Sequence, residues 1–442
     1  MAFLPSLTAL LLRICGPSLE TFSRQSISKS RKYGTTPPKQ DAESLHPVII
    51  ELQGIIESDP SLFMGFHQMF EDIPDDPRYR NDPTGKPQVR NYREMLRALQ
   101  ELLTCAPEFG DEGSGELVPL PLLTPILNWP MNTSAGLHVF THQKINDQIK
   151  KILNVWAQFL STPESRYVLT DKHPRGWFSP SALVSMCAGN DGSFETTYIC
   201  DPSKEHYGFA SWDDFFTRRY RPGVRPIASP DDDNIITSAC ESVPYKLSHN
   251  VQHTDSFWLK GEIYSLSHML SSDPLTPQFI DGTVYQAYLS ATTYHRWHSP
   301  VSGRIVKIVD VLGTYCAVSP STGFNAGTHD EAAPNNSQAF LSNIATRMIM
   351  FIQADNDAIG LMAFIAVGMV EVSSCEATVR VGQKVKKGEE LGMFHYGGST
   401  YCLIFRPETK VVFDDGVKQS LGGHKTKVLL NTPVASVSSD SC

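Results

Sequence analysis

Two short stretches of this 442-residue chain carry side chains that can move protons or be made nucleophilic. The first is Tyr294-His295-Arg296-Trp297-His298-Ser299-Pro300, with two histidines three apart. Imidazole titrates near neutrality, so such a pair suits general acid and base work. A metal reading needs further ligands at matched spacing; none accompanies the pair, and no metal site is expected. The second stretch runs from Val385-Lys386-Lys387-Gly388 to His395-Tyr396-Gly397-Gly398-Ser399-Thr400. Its Gly-Gly-Ser triplet sets a hydroxyl beside backbone free to adopt strained conformations. The triplet interrupts two apolar runs, 391–394 and 401–405, where flexibility needs a reason. A hydroxyl attacks poorly until a base takes its proton, so the serine and the histidines gain meaning only if the fold brings them together.

The elements that must do this fall into two sets. Residues 45–205 have helical periodicity. Asn91 followed by Glu94 predicts a capped helix start, with Met95, Leu96, Leu99, Leu102 and Leu103 on one face. A longer helix is predicted over 141–160, its stripe of Ile145, Ile149, Ile152, Leu153, Trp156, Phe159 and Leu160 reading as core. Residues 75–90, with three prolines, read as a loop insertion. Beyond about 230 the pattern becomes short apolar runs punctuated by Gly and Pro: 304–311, 314–319, 348–353 and 361–372. These predict an antiparallel or barrel-like β domain. Residues 319–338 read as a long polar loop. The fold class expected is α+β: a tail at 1–44, disordered or targeting, a helical domain at 45–205 and a β-rich domain at 206–442.

Composition excludes several functions. A net charge of −9 leaves no general affinity for nucleic acid, which needs a basic face. The same sign argues against adhesion to an anionic membrane. No run approaches the 18 apolar residues of a membrane span. Nine cysteines without a CxxC pair suit reduced thiols in an intracellular protein and make structural zinc improbable. The basic, Ser-rich tail keeps a mitochondrial address open beside a cytoplasmic one.

Five motifs in order carry a family resemblance: Trp212-Asp213-Asp214-Phe215-Phe216-Thr217-Arg218-Arg219, then Arg221-Pro222-Gly223-Val224-Arg225-Pro226-Ile227, Leu259-Lys260-Gly261 with Tyr264-Ser265-Leu266, the Tyr294–His298 cluster, and Gly397-Gly398-Ser399-Thr400. The sequence resembles the phosphatidylserine decarboxylase family of pyruvoyl enzymes. It is closer to a fungal branch, with a helical N-terminal region, that decarboxylates L-tryptophan. Met69-Phe70-Glu71-Asp72-Ile73, Met131-Asn132-Thr133 and Ser238-Ala239-Cys240-Glu241-Ser242 carry that closer likeness.

The resemblance implies a carboxy-lyase matured by self-cleavage between Gly398 and Ser399. Ser399 would attack the Gly398 carbonyl and be converted into a covalent pyruvoyl cofactor, leaving two chains, 1–398 and 399–442, that stay associated. The cofactor's ketone would then condense with the substrate's amine as a Schiff base and draw electrons as carbon dioxide leaves. By the same resemblance His298 is the base of a carboxylate–His–Ser arrangement and His295 an acid or base in turnover. Glu241 stands where the family has Asp, in a Ser-Pro-x-Asp-Gly segment; the acidic run Asp231-Asp232-Asp233 offers alternatives and otherwise reads as a solvated turn. The substrate expected is an aromatic L-amino acid, foremost L-tryptophan, yielding tryptamine. Two other readings stay open: a phosphatidylserine decarboxylase at a membrane, and a non-processing binding protein, because 376–394 also resembles the turn-rich pattern of lipoyl- and biotinyl-type domains.

Overall fold

The structure, a computed structural model, describes residues 45–82, 86–112, 116–119, 123–187, 192–255, 264–322, 324, 336–370, 374–396, 399–423 and 425–438. The tail at 1–44, the Leu259-Lys260-Gly261 motif and Gly397-Gly398 lie outside the described residues.

The helical region opens with α1 (Pro47–Ser58) and α2 (Pro60–Glu71), each with proline in its first turn, where the missing N–H costs nothing. The Asp59 carboxylate caps α2 by accepting from the Ser61 and Leu62 amides. Helix α3 (Tyr92–Leu102) starts as expected: the Asn91 side chain accepts from the Glu94 amide at 2.9 Å, and the Glu94 carboxylate accepts from the Arg90 amide. A two-stranded hairpin follows, β1 (Phe109–Glu112) with β2 (Glu116–Pro119). Next come α4 (Leu123–Met131), α5 (Ser134–Phe140) and α6 (Gln143–Leu160). Helix α6 buries Ile145, Ile149, Ile152, Leu153, Trp156 and Leu160 of the stripe read from its spacing and leaves Phe159, at the helix's last turn, half-buried. Short helices α7 (Pro180–Cys187), α8 (Phe194–Thr197) and α9 (Trp212–Phe216) lead into the β region. In the 75–90 segment, a turn at Pro77–Tyr79 buries Tyr79 against Trp129 and Phe324, at ring distances of 5.3 and 5.0 Å.

The β region carries β3 (Ile235–Thr237), β4 (Val243–Val251), β5 (Gly282–Leu289), β6 (Arg296–His298), β7 (Gly303–Val311), β8 (Arg347–Ala354) and β9 (Leu361–Gly368). After these come β10 (Ser374–Ala377), β11 (Lys384–Val385), β12 (Glu390–His395), β13 (Ser399–Phe405), β14 (Val411–Phe413) and β15 (Pro433–Val437). Seven strands form one antiparallel sheet in the order β11-β7-β8-β9-β13-β5-β4. Two three-stranded sheets, β10-β12-β6 and β14-β15-β3, accompany it. Helices α10 (Leu266–Met269), α11 (Gln338–Ile344) and α12 (Asp415–Leu421) complete the region.

The large sheet is buried on both faces, and successive side chains alternate between two cores. Tyr401, Leu403 and Phe405 of β13 join Trp297 and Phe394 in one core; Cys402 and Ile404 join Leu266 and Leu341 in the other. The expected strand at 314–319 is instead irregular, with only a bridge from Thr314 to Ala345. Its backbone finds scattered partners instead: Thr314 bonds Ile344 and Thr346, the Tyr315 amide donates to the Asn146 side chain, and the Ser319 amide donates to Ser337 Oγ. The run at 361–372 keeps strand geometry only to Gly368, and Val370 turns away with φ 51°. Residues 46–442 form one compact unit, so the helical and β regions share a single body. Among the described residues no helix is long and apolar enough to cross a membrane, and no cluster of metal-ligating side chains occurs. The architecture is α+β.

Candidate active site

Ser399 opens β13, the strand flanked by β9 and β5, and pairs with Gly368 on one side and Leu289 on the other. The period of two puts its side chain on the face of Tyr401, toward the core that holds Trp297 and Phe394. Its hydroxyl is buried and makes no hydrogen bond among the described residues. A buried hydroxyl without a partner costs free energy that a purely structural serine would avoid. The neighbouring Thr400 contrasts with it. Its hydroxyl donates to the Ala287 carbonyl and accepts from Gln286, which in turn accepts from the Tyr264 hydroxyl. That network pins the strand at Thr400, and the Ser399 hydroxyl takes no part in it.

The two histidines flank β6, which pairs with β12, the strand leading toward Ser399. The motif from α9 onward is their platform. The buried Arg218 guanidinium donates to the Thr292 and Thr293 carbonyls at 2.8 and 3.1 Å. Arg296 answers by donating to the Thr217 carbonyl at 2.7 Å. His295 is fully buried and stacks on Phe216 at 4.1 Å. Phe216 and Trp212 both meet Tyr396, three residues before Ser399, and Trp156 of α6 closes the same aromatic group at 4.9 Å. His295 and the approach to Ser399 thus share one water-poor aromatic wall.

His298 presents a defined tautomer. Its Nδ1 lies 2.8 Å from the Gly388 carbonyl, which can only accept, so Nδ1 carries the proton. Gly388 adopts φ 79°, and a Cβ there would meet Ile227 at 2.5 Å; only glycine aims this carbonyl so. Nε2 is left as acceptor and faces the Tyr294 hydroxyl at 3.1 Å. Burial pulls the His298 pKa down; the Gly388 bond opposes this, and the net direction is down, toward the neutral base. Neither ring nitrogen bonds Ser399 in this structure.

Glu241 is placed differently from the carboxylate–His expectation. Its backbone neighbourhood touches His298, whose amide donates to the Ala239 carbonyl at 2.8 Å. The carboxylate itself turns to Arg225, which grips both oxygens at 2.9 Å, and to Lys427 at 2.9 Å. Burial would raise its pKa, but these two cations outweigh burial and hold it at about 2. Glu241 is therefore ionised and paired with cations. The run Asp231-Asp232-Asp233 forms an exposed turn, and its backbone is used instead: the Lys387 ammonium bonds the Ser229, Asp232 and Ile235 carbonyls.

Sequence reasoning assigned no role to Tyr294, Arg225, Asp213 or His395, although all four lie in the quoted motifs. His395 bridges two carboxylates, Asp213 at 3.0 Å and Glu376 at 2.9 Å. Burial lowers its pKa, the two carboxylates raise it more, and the net direction is up. The available signal was composition: a buried acid requires a cation, and the Arg-rich segment 218–225 supplies it.

Two family models, both described as phosphatidylserine decarboxylase, match residues 46–186 and 212–427. The chain is 42% identical over 374 residues to an L-tryptophan decarboxylase of Psilocybe cubensis, covering 82% of this chain and 81% of that one. It is 44% identical over 353 residues to decarboxylase iboD of Amanita muscaria, covering 77% and 99%. Against phosphatidylserine decarboxylase proenzyme 3 of Schizosaccharomyces pombe the identity is 30% over 223 residues, half of this chain and 21% of that one. A serine on an interior strand, faced by a histidine-bearing layer, thus sits in a decarboxylase, and the chain belongs to the phosphatidylserine decarboxylase family. It is a carboxy-lyase of that family.

Proposed function

We propose that this protein is a pyruvoyl-dependent decarboxylase of an aromatic L-amino acid, foremost L-tryptophan, matured by cleavage of its own chain between Gly398 and Ser399. The observation that carries the reading is the Ser399 hydroxyl, buried and, among the described residues, unpartnered at the head of an interior strand. In processing, neutral His298 takes the hydroxyl proton, Oγ attacks the Gly398 carbonyl, and the proton passes to the departing amide nitrogen as the peptide bond gives way to an ester; β-elimination would then release the 1–398 carboxylate and leave dehydroalanine at 399, which water converts to a pyruvoyl group with loss of ammonia. Residue 399 would hold the resulting group, and strand pairing on both sides of β13 keeps the two chains together after cleavage. When present, the pyruvoyl group supplies an electron sink beside the substrate's amine-bearing carbon.

The chain's own side chains do the rest. Phe216, Trp212 and Tyr396 exclude water around His295, which holds a proton for return to carbon once carbon dioxide has left. Thr400 and Gln286 keep residue 399 in register. The aromatic substrate is supported by the L-tryptophan decarboxylase similarity, which spans both the helical and β regions, whereas the phosphatidylserine decarboxylase proenzyme of Schizosaccharomyces pombe matches half the chain.

The test is a substrate panel. Purified protein is given L-tryptophan, L-tyrosine, L-phenylalanine and phosphatidylserine in vesicles, and amine products are measured. The reading predicts tryptamine as the fastest product and no phosphatidylethanolamine. Phosphatidylethanolamine alone would replace it with the lipid reading.

A further inference from the structure

We propose that Tyr294 is a positioning residue for His298, and that Glu241 acts on His298 through a column of side chains, Arg225, Tyr220 and Tyr294, without a direct bond. This rests on the reading of His298 as the base that activates Ser399. The observations begin at the imidazole. Gly388 fixes the proton on Nδ1, so Nε2 carries the ring's one in-plane lone pair; the Tyr294 hydroxyl donates into it at 3.1 Å in the resting site and swings off as Nε2 takes the Ser399 proton. Tyr294 is buried, so its ring and hydroxyl are held by packing. The ring stacks on Tyr220 at 4.3 Å and an interplanar angle of 27°. Over Tyr220 lies the Arg225 guanidinium, 4.7 Å from the ring centroid. Both oxygens of Glu241 hold that guanidinium in place. Tyr198 stacks on Tyr220 as well, at 5.0 Å, with Arg218 over its ring.

Each link has a physical reason. A bidentate Arg–carboxylate pair is planar and oriented, which a lysine pair is not. An oriented guanidinium over an aromatic ring fixes the ring through cation–π attraction. Two stacked rings fix each other, and a fixed phenol fixes the imidazole it bonds. The carboxylate that the motif places near the base thus orients it at one remove.

The hydroxyl also sets the proton affinity of the base. A donor facing Nε2 favours neutral imidazole and opposes the imidazolium, which would present an N–H to it. The other charged groups near His298 are Glu390, directly opposite it across the β6–β12 ladder, and Arg296, which bonds Glu390 at 2.9 Å; Arg219 lies 3.6 Å from Glu390. These oppose one another in sign, so removal of the phenol hydroxyl leaves them in place and reads out alone.

The experiment follows conversion of the uncleaved chain into two chains by intact mass, as a rate against pH. Tyr294→Phe keeps the ring and its stacking and removes only the hydroxyl. It should slow cleavage about tenfold, the worth of one hydrogen bond, and move the acid limb of the profile upward by roughly 0.5 to 1 pH unit. Arg225→Lys keeps a cation on Glu241 and loses the planar stack, and should slow cleavage about threefold. Tyr220→Leu should slow the wild type but add less than about twofold to Tyr294→Phe, since both act along one path. Wild-type rate and profile in Tyr294→Phe would overturn the role of Tyr294. Wild-type rate in Arg225→Lys, or fully multiplicative losses in the double variant, would overturn the column. His298→Gln runs beside them. If it still cleaves, the underlying reading of His298 falls; if it does not while Tyr294→Phe is unaffected, only the present inference falls.

Discussion

Glu241 is a carboxylate with almost no water and two cations, 8% and 22% exposed at Arg225 and Lys427. Such a group is costly to bury and more costly to orphan. Glu241→Gln leaves Arg225 and Lys427 facing a neutral amide in a buried site, and should lower stability by about 3–5 kcal/mol, read as a shift in the urea midpoint. The sign with pH follows from the depressed pKa. An acid whose folded pKa falls from 4.5 to about 2 contributes its full stabilisation above 4.5 and loses it as pH drops toward 2. The wild type should therefore lose stability more steeply across that window than the Gln variant, whose remaining limb comes from the other carboxylates with lowered pKa. Equal acid limbs in the two proteins would show that the pairing is energetically idle.

At the scale of elements, α9 and β12 are joined by the Asp213–His395–Glu376 bridge next to the approach to Ser399. His395 has its pKa raised above 6.5 by the two carboxylates, burial notwithstanding. The stabilisation from a raised pKa is complete below the unfolded value and fades as pH rises through the folded one. Thermal midpoints of wild type and Asp213→Asn should therefore differ most below pH 6.5 and converge as pH rises through the His395 transition. A constant difference across that range would mean that the imidazolium is not what joins the elements.

The elements themselves were largely legible. The α6 stripe, the Asn91 cap and the strands around Ser399 follow from periodicity and short-range chemistry, which act over three or four residues. The 314–319 segment was misread because its backbone bonds separate, remote partners, among them Ile344, the Asn146 side chain and Ser337 Oγ, which apolar alternation does not announce. The site was legible only in part. Ser399, His295 and His298 could be named, but the partners that orient His298 and Glu241 are remote: Gly388 lies 90 residues from His298, and Lys427 far beyond Glu241. No local pattern announces such pairs. A motif alignment places Glu241 near the base, while the direction its carboxylate faces is decided by the cations the fold delivers.

For the whole molecule, one body carries both the helical and β regions, and Trp156 of α6 touches Tyr396, three residues before Ser399. The helical region therefore joins the aromatic group around His295 as well as covering the sheet. A net charge of −9 and a buried serine suit a small amino acid better than an anionic lipid surface. All of this depends on one event in the chain. The decisive measurement is the denaturing intact mass of freshly purified protein beside Ser399→Ala. The account predicts chains of roughly 44 and 5 kDa in the wild type, the smaller lacking a free amino terminus, and one 49.1 kDa chain in the variant. A single 49.1 kDa chain in both would contradict it.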